Sequence, residues 1–93
     1  MDLNLVRLFV AIAESRNLSD AAQRSGVTRS NVSRRLALLE RQYGAQLLRR
    51  TPRHLELTQA GRILYEHCLQ ALNELNTAQL KIDQIHQTIS GEI

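Results

Sequence analysis

The arginines are the candidate anion-binding side chains of this sequence, because they make up eleven of its twelve cationic residues. All eleven lie at or before Arg62 and face five acidic residues there, so residues 1–62 carry a net charge of +6 and residues 63–93 a net charge of −3. A planar guanidinium binds phosphate or a guanine edge through two parallel hydrogen bonds, whereas an ammonium acts as a point charge. The first two thirds of the chain are therefore predicted to bind a polyanion.

Residues able to catalyse a reaction or hold a metal form no recognisable pattern. The sequence has no glycine-rich phosphate loop, no metal-ligand spacing and no nucleophile beside a base at helical spacing. Glu40, Glu56 and Glu66 fall on separate predicted elements, where we expect surface charges that pair with nearby arginines. We predict no enzymatic activity, no cofactor and no metal site.

Length and composition favour one small domain. The chain has 93 residues, 43% hydrophobic and 23% charged, and no stretch approaches the roughly 20 apolar residues that cross a bilayer. Residues 1–4 lack the pattern of a secretory signal, and the single cysteine, Cys68, cannot form an internal disulfide. We expect a cytoplasmic protein without membrane contact.

Three helices are predicted before residue 45. The first covers about 3–15 after Asp2; the second is short, begins at a Ser19 cap and ends at Gly26. The third covers about 29–43, between a Thr28 cap and Gly44. Its apolar stripe is formed by Val32, Leu36, Leu39 and Tyr43. Its opposite, polar face carries Ser30, Arg34, Ala37 and Arg41, with Ser33 on the flank.

A short helix, a glycine turn and a longer helix with a polar outer face form the helix-turn-helix arrangement, whose second helix enters the DNA major groove. Segments 47–50 and 55–57 are predicted to pair as a small hairpin, with Arg53 at a tip that would reach the minor groove. The alternative is an αα-hairpin whose outward charges stay solvated, with Arg53 a solvated loop residue.

The last predicted helix is unusually long. It begins after Thr58 and covers 59–89, with apolar residues spaced alternately by four and three, as in a heptad coiled coil. This seam comprises Leu64, Cys68, Ala71, Leu75, Ala78, Ile82, Ile85 and Ile89. Such a helix is too long to fold back over the preceding domain, so a second copy is the simplest partner. The alternative is a seam packed within one chain.

Ordered residue blocks resemble the N-terminal winged helix-turn-helix domain and linker helix of the LysR-type bacterial transcriptional regulators. The blocks are Leu18-Ser19-Asp20-Ala21-Ala22, residues 27–36, Leu39-Glu40, residues 44–50 and residues 57–61. The resemblance covers nearly the whole chain. It implies that bases are read by Arg29, Ser30, Ser33, Arg34 and, in the wing, Arg53. It also implies that phosphates are held by Thr28, Arg50 and Thr51. We further expect phosphate contacts from Asn31 in the third helix and from His54 in the wing turn.

The sequence departs from the family pattern at the start of the third helix. The family usually has Ser-Gln-Pro where this chain has Thr28-Arg29-Ser30, and often Phe at the position of Leu48. Glutamine reads adenine through a donor and an acceptor, whereas arginine has donors only and favours guanine or phosphate. The base preference is therefore expected to differ.

These predictions combine into a mainly α-helical fold: a winged helix-turn-helix domain over 1–58, a dimerisation helix over 59–89, and the start of an effector-binding domain at 90–93. The expected partner is a double-stranded operator with an inverted repeat, bound by a homodimer. The resemblance implies that tetramers need the effector-binding domain. The alternative function is a helical protein–protein interaction module that uses the 59–89 seam.

Overall fold

The computed structural model describes residues 2–51 and 54–89, with side chains up to residue 87. Its elements follow the order α1 (Leu3–Ala13), α2 (Leu18–Ser25), α3 (Arg29–Tyr43), β1 (Leu48–Arg50), β2 (Leu55–Leu57) and α4 (Gln59–Ile89). The two strands pair antiparallel, with Leu48 opposite Leu57 and Arg50 opposite Leu55. The predicted fold class, three helices with a two-stranded wing and a long final helix, is confirmed.

Side-chain caps determine where the first three helices begin. Asp2 Oδ1 accepts a hydrogen bond from the Leu5 amide at 2.9 Å, and Thr28 Oγ1 accepts one from the Asn31 amide at 3.1 Å. The predicted Ser19 cap is wrong, because the cap lies two residues earlier, at Asn17, whose Oδ1 accepts from the Asp20 amide at 2.8 Å. Each cap satisfies an amide that has no partner within its helix.

Two glycines end α2 and α3 and set the turn between the helices. Gly26 and Gly44 have φ angles of 68° and 62°, in the left-handed region that side chains with a Cβ avoid. After Gly26, the Val27 amide donates to the Ala22 carbonyl at 3.1 Å, which is the hydrogen bond of a Schellman-type helix end. The tight turn places α3 against α2 and leaves its polar face outward.

The core is formed by α1, α2, α3 and the segment that enters β1. Its fully buried large side chains are Phe9, Ile12, Val32, Leu39 and Leu47. Tyr43, predicted to complete the α3 stripe, is instead 46% exposed. The chain turns at Gly44 and returns Leu47 into the core beside the last turn of α3, so the Tyr43 ring lies at the rim of a small apolar cavity.

Glu40 organises the entry into the wing. Its Oε2 accepts hydrogen bonds from the amides of Leu47 at 2.8 Å and Leu48 at 3.4 Å. The expectation that Glu40 pairs with an arginine is therefore wrong, because its carboxylate satisfies backbone donors that the short strand leaves free. The carboxylate of Glu56 does pair with an arginine, Arg49, at 4.0 Å.

The start of α4 is joined closely to the wing. Thr58 Oγ1 accepts from the Gly61 amide at 3.0 Å and donates to the Gln46 carbonyl at 2.6 Å. A Cβ atom on Gly61 would lie 2.0 Å from the Leu47 carbonyl oxygen, so only glycine fits there. The close contact fixes the direction in which α4 leaves the domain.

The two halves of α4 have different surroundings. Leu64 and Leu72 pack against the core and Cys68 is only 3% exposed, so this part of the seam belongs to the protomer. The assignment of Cys68 to a subunit interface is corrected accordingly, because a side chain already covered by its own chain offers no surface to a partner. Beyond Leu72, every residue of α4 up to residue 87 is exposed, and the molecule extends over 57 Å. In the part of the chain described, no helix is both long and apolar enough to cross a membrane.

Candidate nucleic-acid interface

An open groove lies between the outer face of α3 and strand β1. The groove has a volume of about 630 Å³. It is lined by Leu18, Arg29, Ser30, Ser33, Arg34, Ala37 and Arg50. All four residues of α3 predicted to read bases thus line the same groove, because Arg29 and Ser33 lie one turn apart on one row and Ser30 and Arg34 on the next. Helical periodicity explains their convergence.

Arg50 connects the wing to the third helix. Its Nη2 donates a hydrogen bond to Ser33 Oγ at 3.3 Å, across seventeen positions of sequence. The neighbouring Arg49 points to the opposite face of the strand, because successive side chains alternate. On that face it pairs with Glu56 of β2. Arg50 therefore forms one wall of the groove, a position that no local spacing in the sequence indicates.

The first turn of α3 is a positively charged end of the groove. It contains no acidic residue, although the aligned peptide dipoles favour negative charge there. Thr28 Oγ1, which caps the helix, also lies 3.4 Å from Ser30 Oγ. Asn31 is half-buried, and its Oδ1 is buried without a hydrogen-bond partner among the described residues. The predicted phosphate ligands Thr28 and Asn31 thus lie at the dipole's positive end.

The base of the wing turn is closed by three hydrogen bonds between two residues. Thr51 donates to the His54 carbonyl through its amide at 3.0 Å and its hydroxyl at 2.8 Å, and the His54 amide donates to Thr51 Oγ1 at 3.0 Å. The His54 ring lies with Nε2 3.0 Å from Glu56 Oε2. Arg53, the predicted minor-groove residue, lies outside the described residues.

Charge pairing distinguishes the arginines of the groove from two arginines elsewhere, Arg24 and Arg49. Arg24 lies 3.4 Å from Asp20, and Arg49 pairs with Glu56. Within residues 2–51 and 54–87, by contrast, no carboxylate pairs with Arg29, Arg34 or Arg50. Three cationic side chains around one groove, without internal neutralisation, form a surface suited to an external anion.

The described seam residues beyond the core form an apolar stripe in water. Leu75 is 51% exposed, Ile82 47% and Ile85 56%, and Ala71 and Ala78 are also exposed. The side chain of Ile89 lies outside the description. Leu80, on the edge of the stripe, is 63% exposed. A polar solvent disfavours such a row of branched side chains, so the stripe suits contact with another apolar surface.

Two titratable groups away from the groove have raised pKa values. The hydroxyl of Tyr65 donates to Glu14 Oε2 at 2.6 Å, and this hydrogen bond, followed by desolvation and the carboxylate charge, raises the pKa of Tyr65. Burial raises the pKa of the Cys68 thiol. Neither lies near the groove, and the described residues include no cluster of three or more potential metal ligands.

The fold and the basic groove together define a winged helix-turn-helix domain of the DNA-binding class. The family model of the bacterial regulatory helix-turn-helix proteins, lysR family, matches residues 3–62. The chain belongs to this family, as its sequence resemblance implied.

Relatives and solved structures agree with this assignment. The HTH-type transcriptional regulator BudR of Raoultella terrigena is 38% identical over 93 residues, covering 100% of this chain and 32% of BudR. The BenM DNA-binding domain, solved with catB site 1 DNA, has a TM-score of 0.86 at 26% identity and covers 100% of both chains. The CbnR DNA-binding domain, also solved with DNA, has a TM-score of 0.81 at 29% identity and covers 92% of this chain and 99% of that one.

The chain spans about a third or less of the length of the first three curated relatives it matches, between 26% and 32%. The family and these relatives are transcriptional regulators, which favours the DNA-binding interpretation over a helical protein–protein interaction module.

Proposed function

We propose that this chain binds double-stranded DNA by placing α3 in the major groove and strand β1 with its wing against the adjacent backbone. The observation that carries the proposal is the set of three guanidinium groups, Arg29, Arg34 and Arg50, that line one groove without a carboxylate partner among the described residues. Phosphates would supply most of the affinity, and base edges the specificity.

Separate groups of residues would perform these two tasks. Base edges would be read by Arg29, Ser30, Ser33 and Arg34, with Arg53 in the minor groove. Phosphates would be held by Thr28, Asn31, Arg50, Thr51 and His54. The cap hydroxyl of Thr28 and the positive end of the α3 dipole support the second assignment, since helix N-termini favour anions. The DNA solved with the BenM and CbnR domains supports the choice of ligand.

The proposed binding unit is a homodimer formed through α4. The exposed stripe of Leu75, Ile82 and Ile85 supports this, because a second copy would cover the same stripe on both chains. Two copies related by a twofold axis read an inverted repeat. In a longer protein, residues 90–93 would lead into an effector-binding domain, which would also be needed for tetramers. Binding to chromosomal DNA would place the protein in the cytoplasm.

Selection from random duplexes at near-physiological salt tests the proposal. The chain should enrich an inverted repeat, and its association constant for that repeat should fall with salt by about 0.9 log units per log unit for each phosphate neutralised. With contacts to two or more phosphates in each of the two half-sites, the log–log slope should be about −3.6 or steeper.

A matched measurement distinguishes the interaction-module alternative. Self-association through an apolar helix stripe should change little over the same salt range, because it releases no condensed counterions. No enrichment of any duplex, together with association that is insensitive to salt, would contradict DNA binding and favour the alternative.

A further inference from the structure

The polar groups that line the groove are almost all hydrogen-bond donors. Arg29, Arg34 and Arg50 each present five N–H groups and no acceptor. The remaining polar lining consists of two serine hydroxyls, and among the described residues no carboxylate, amide or imidazole side chain lines this groove. A ligand that fills it must therefore present acceptors.

The serine hydroxyls add little acceptor capacity. Ser33 Oγ already accepts a hydrogen bond from Arg50 Nη2 at 3.3 Å, so its own proton is free to be donated outward. Ser30 Oγ lies 3.4 Å from Thr28 Oγ1, which accepts from the Asn31 amide. Donors therefore dominate along both rows of α3.

The four bases differ in what they offer to such a groove. Guanine presents two adjacent acceptors, N7 and O6, in the major groove, which match the two parallel N–H groups of a guanidinium. Adenine presents an acceptor beside the N6 donor, and cytosine presents the N4 donor, so each would bring a donor against a donor. Thymine presents one acceptor beside a methyl group and allows a single hydrogen bond. A groove whose polar lining is mostly donors therefore favours guanine.

Arg29 is the guanidinium best placed to make this choice. It is the first residue of α3, where recognition helices contact base edges, and its side chain is exposed. Among the described residues no carboxylate holds it aside, and the first turn contains no acidic residue. Arg50, by contrast, is engaged with Ser33.

We propose that Arg29 is a specificity-determining residue that selects guanine at the base pair facing the first turn of α3. This inference rests on the proposed DNA binding and deepens it, because it names the base read by one side chain.

The test compares dissociation constants for four duplexes that differ only at the base pair facing Arg29, found in the selected half-site. The protein should bind the guanine duplex about 5- to 150-fold more tightly than the other three. Arg29→Gln should move the preference at this pair to adenine, because an amide pairs its acceptor and donor with adenine N6 and N7. The preference at all other pairs should stay unchanged.

Arg41→Gln is the matched control, since Arg41 lies exposed in the last turn of the same helix and outside the groove lining. It removes the same charge and should leave the guanine preference intact. Circular dichroism melting of both variants reports whether α3 is retained.

The possible results distinguish guanine selection by Arg29 from DNA binding itself. If Arg29→Gln weakens all four duplexes equally and leaves their order unchanged, Arg29 is a phosphate contact; the inference is then overturned while DNA binding stands. If the unmodified protein binds no duplex in a salt-dependent way, the proposed function itself fails, and the assignment of Arg29 with it.

Discussion

The globular part, residues 2–72, and the distal part of α4, residues 73–87, satisfy their apolar side chains in different ways. Residues 2–72 contain every fully buried large side chain described, including Phe9, Leu39 and Leu47, and bury Cys68 from α4 as well. In the distal part every described side chain is exposed, with Leu80 at 63% and Ile85 at 56%. The globular part has a core of its own, whereas the distal part lacks a partner within the protomer.

The seam of α4 serves two purposes along its length. An unbroken four-three spacing covers Leu64 to Ile85, yet its first part packs against the core, whereas the side chains of its second part are exposed. Helices in proteins derive most of their stability from packing of an apolar face rather than from propensity. The distal part should therefore be ordered by a second copy and the globular part without one.

The largest effect should come from the core of the globular part. Phe9→Ala removes a ring that is 0% exposed and should lower the free energy of unfolding by about 3–5 kcal/mol, through lost burial and a residual cavity. Leu80→Ala is the matched truncation on the distal helix and should change the free energy of unfolding by less than about 0.5 kcal/mol. Urea denaturation followed by circular dichroism measures both. Equal losses would contradict the division into two regions.

Dimer formation should instead depend on the apolar stripe of the distal part of α4. Ile82→Asp should weaken self-association by about 3 kcal/mol, because both copies lose an apolar side chain worth about 1.5 kcal/mol or more and gain a charge in the interface. Sedimentation equilibrium measures the dimer constant. The control Asn73→Asp adds the same charge away from the seam and should leave the constant nearly unchanged. A dimer unaffected by Ile82→Asp would exclude α4 as the interface.

The same substitution should also change the affinities for a two-half-site duplex and a single half-site to different extents. A duplex with two half-sites gains affinity from the linkage of the two domains, and a single half-site does not. Ile82→Asp should therefore reduce affinity for the inverted repeat by about tenfold or more while leaving the half-site constant unchanged. Equal affinity changes on both duplexes would argue against binding as a dimer.

The smallest effect concerns the contact that joins the two regions. Tyr65 on α4 donates to Glu14, the residue that ends α1, and the pKa of Tyr65 is raised in the folded state. The folded state holds the neutral phenol, so this stabilisation is complete below pH 10 and is lost as pH rises through the raised pKa. Because the pair is partly exposed, the loss should stay below about 1 kcal/mol.

Urea denaturation at pH 7 and above pH 10 tests this sign. The unmodified protein should lose more stability between the two pH values than Tyr65→Phe, which has no phenol proton to lose. An identical pH dependence in the two proteins would show that the hydrogen bond contributes nothing to stability.

Periodicity was enough to predict the helices, the seam and the shared outer face of Ser30, Ser33 and Arg34, because residues three or four apart must share a face of a helix. Arg29 was predicted from the family resemblance. Periodicity could not predict contacts between distant segments. The Arg50–Ser33 hydrogen bond and the capping of β1 amides by Glu40 depend on how the wing returns to α3.

Burial was predicted least well where two elements compete for one position. Tyr43 continues the apolar stripe of α3, but Leu47 occupies the core beside it once the chain has turned at Gly44. Cys68 continues the seam of α4, but α1 and the core reach it first. The pattern identifies apolar side chains that need covering, and only tertiary packing decides which surface covers them.

The unpaired arginines of the groove should contact DNA, and the paired arginines Arg24 and Arg49 should not. Titrating the selected inverted repeat with Arg34→Ala and Arg24→Ala tests this difference most directly, because Arg24 is held by Asp20 and lines a different surface, with Arg7 of α1. Arg34→Ala should cost about 1–3 kcal/mol of binding free energy and relax base preference, and Arg24→Ala should leave both unchanged. Equal losses for the two variants, or an unaltered footprint with Arg34→Ala, would contradict the account.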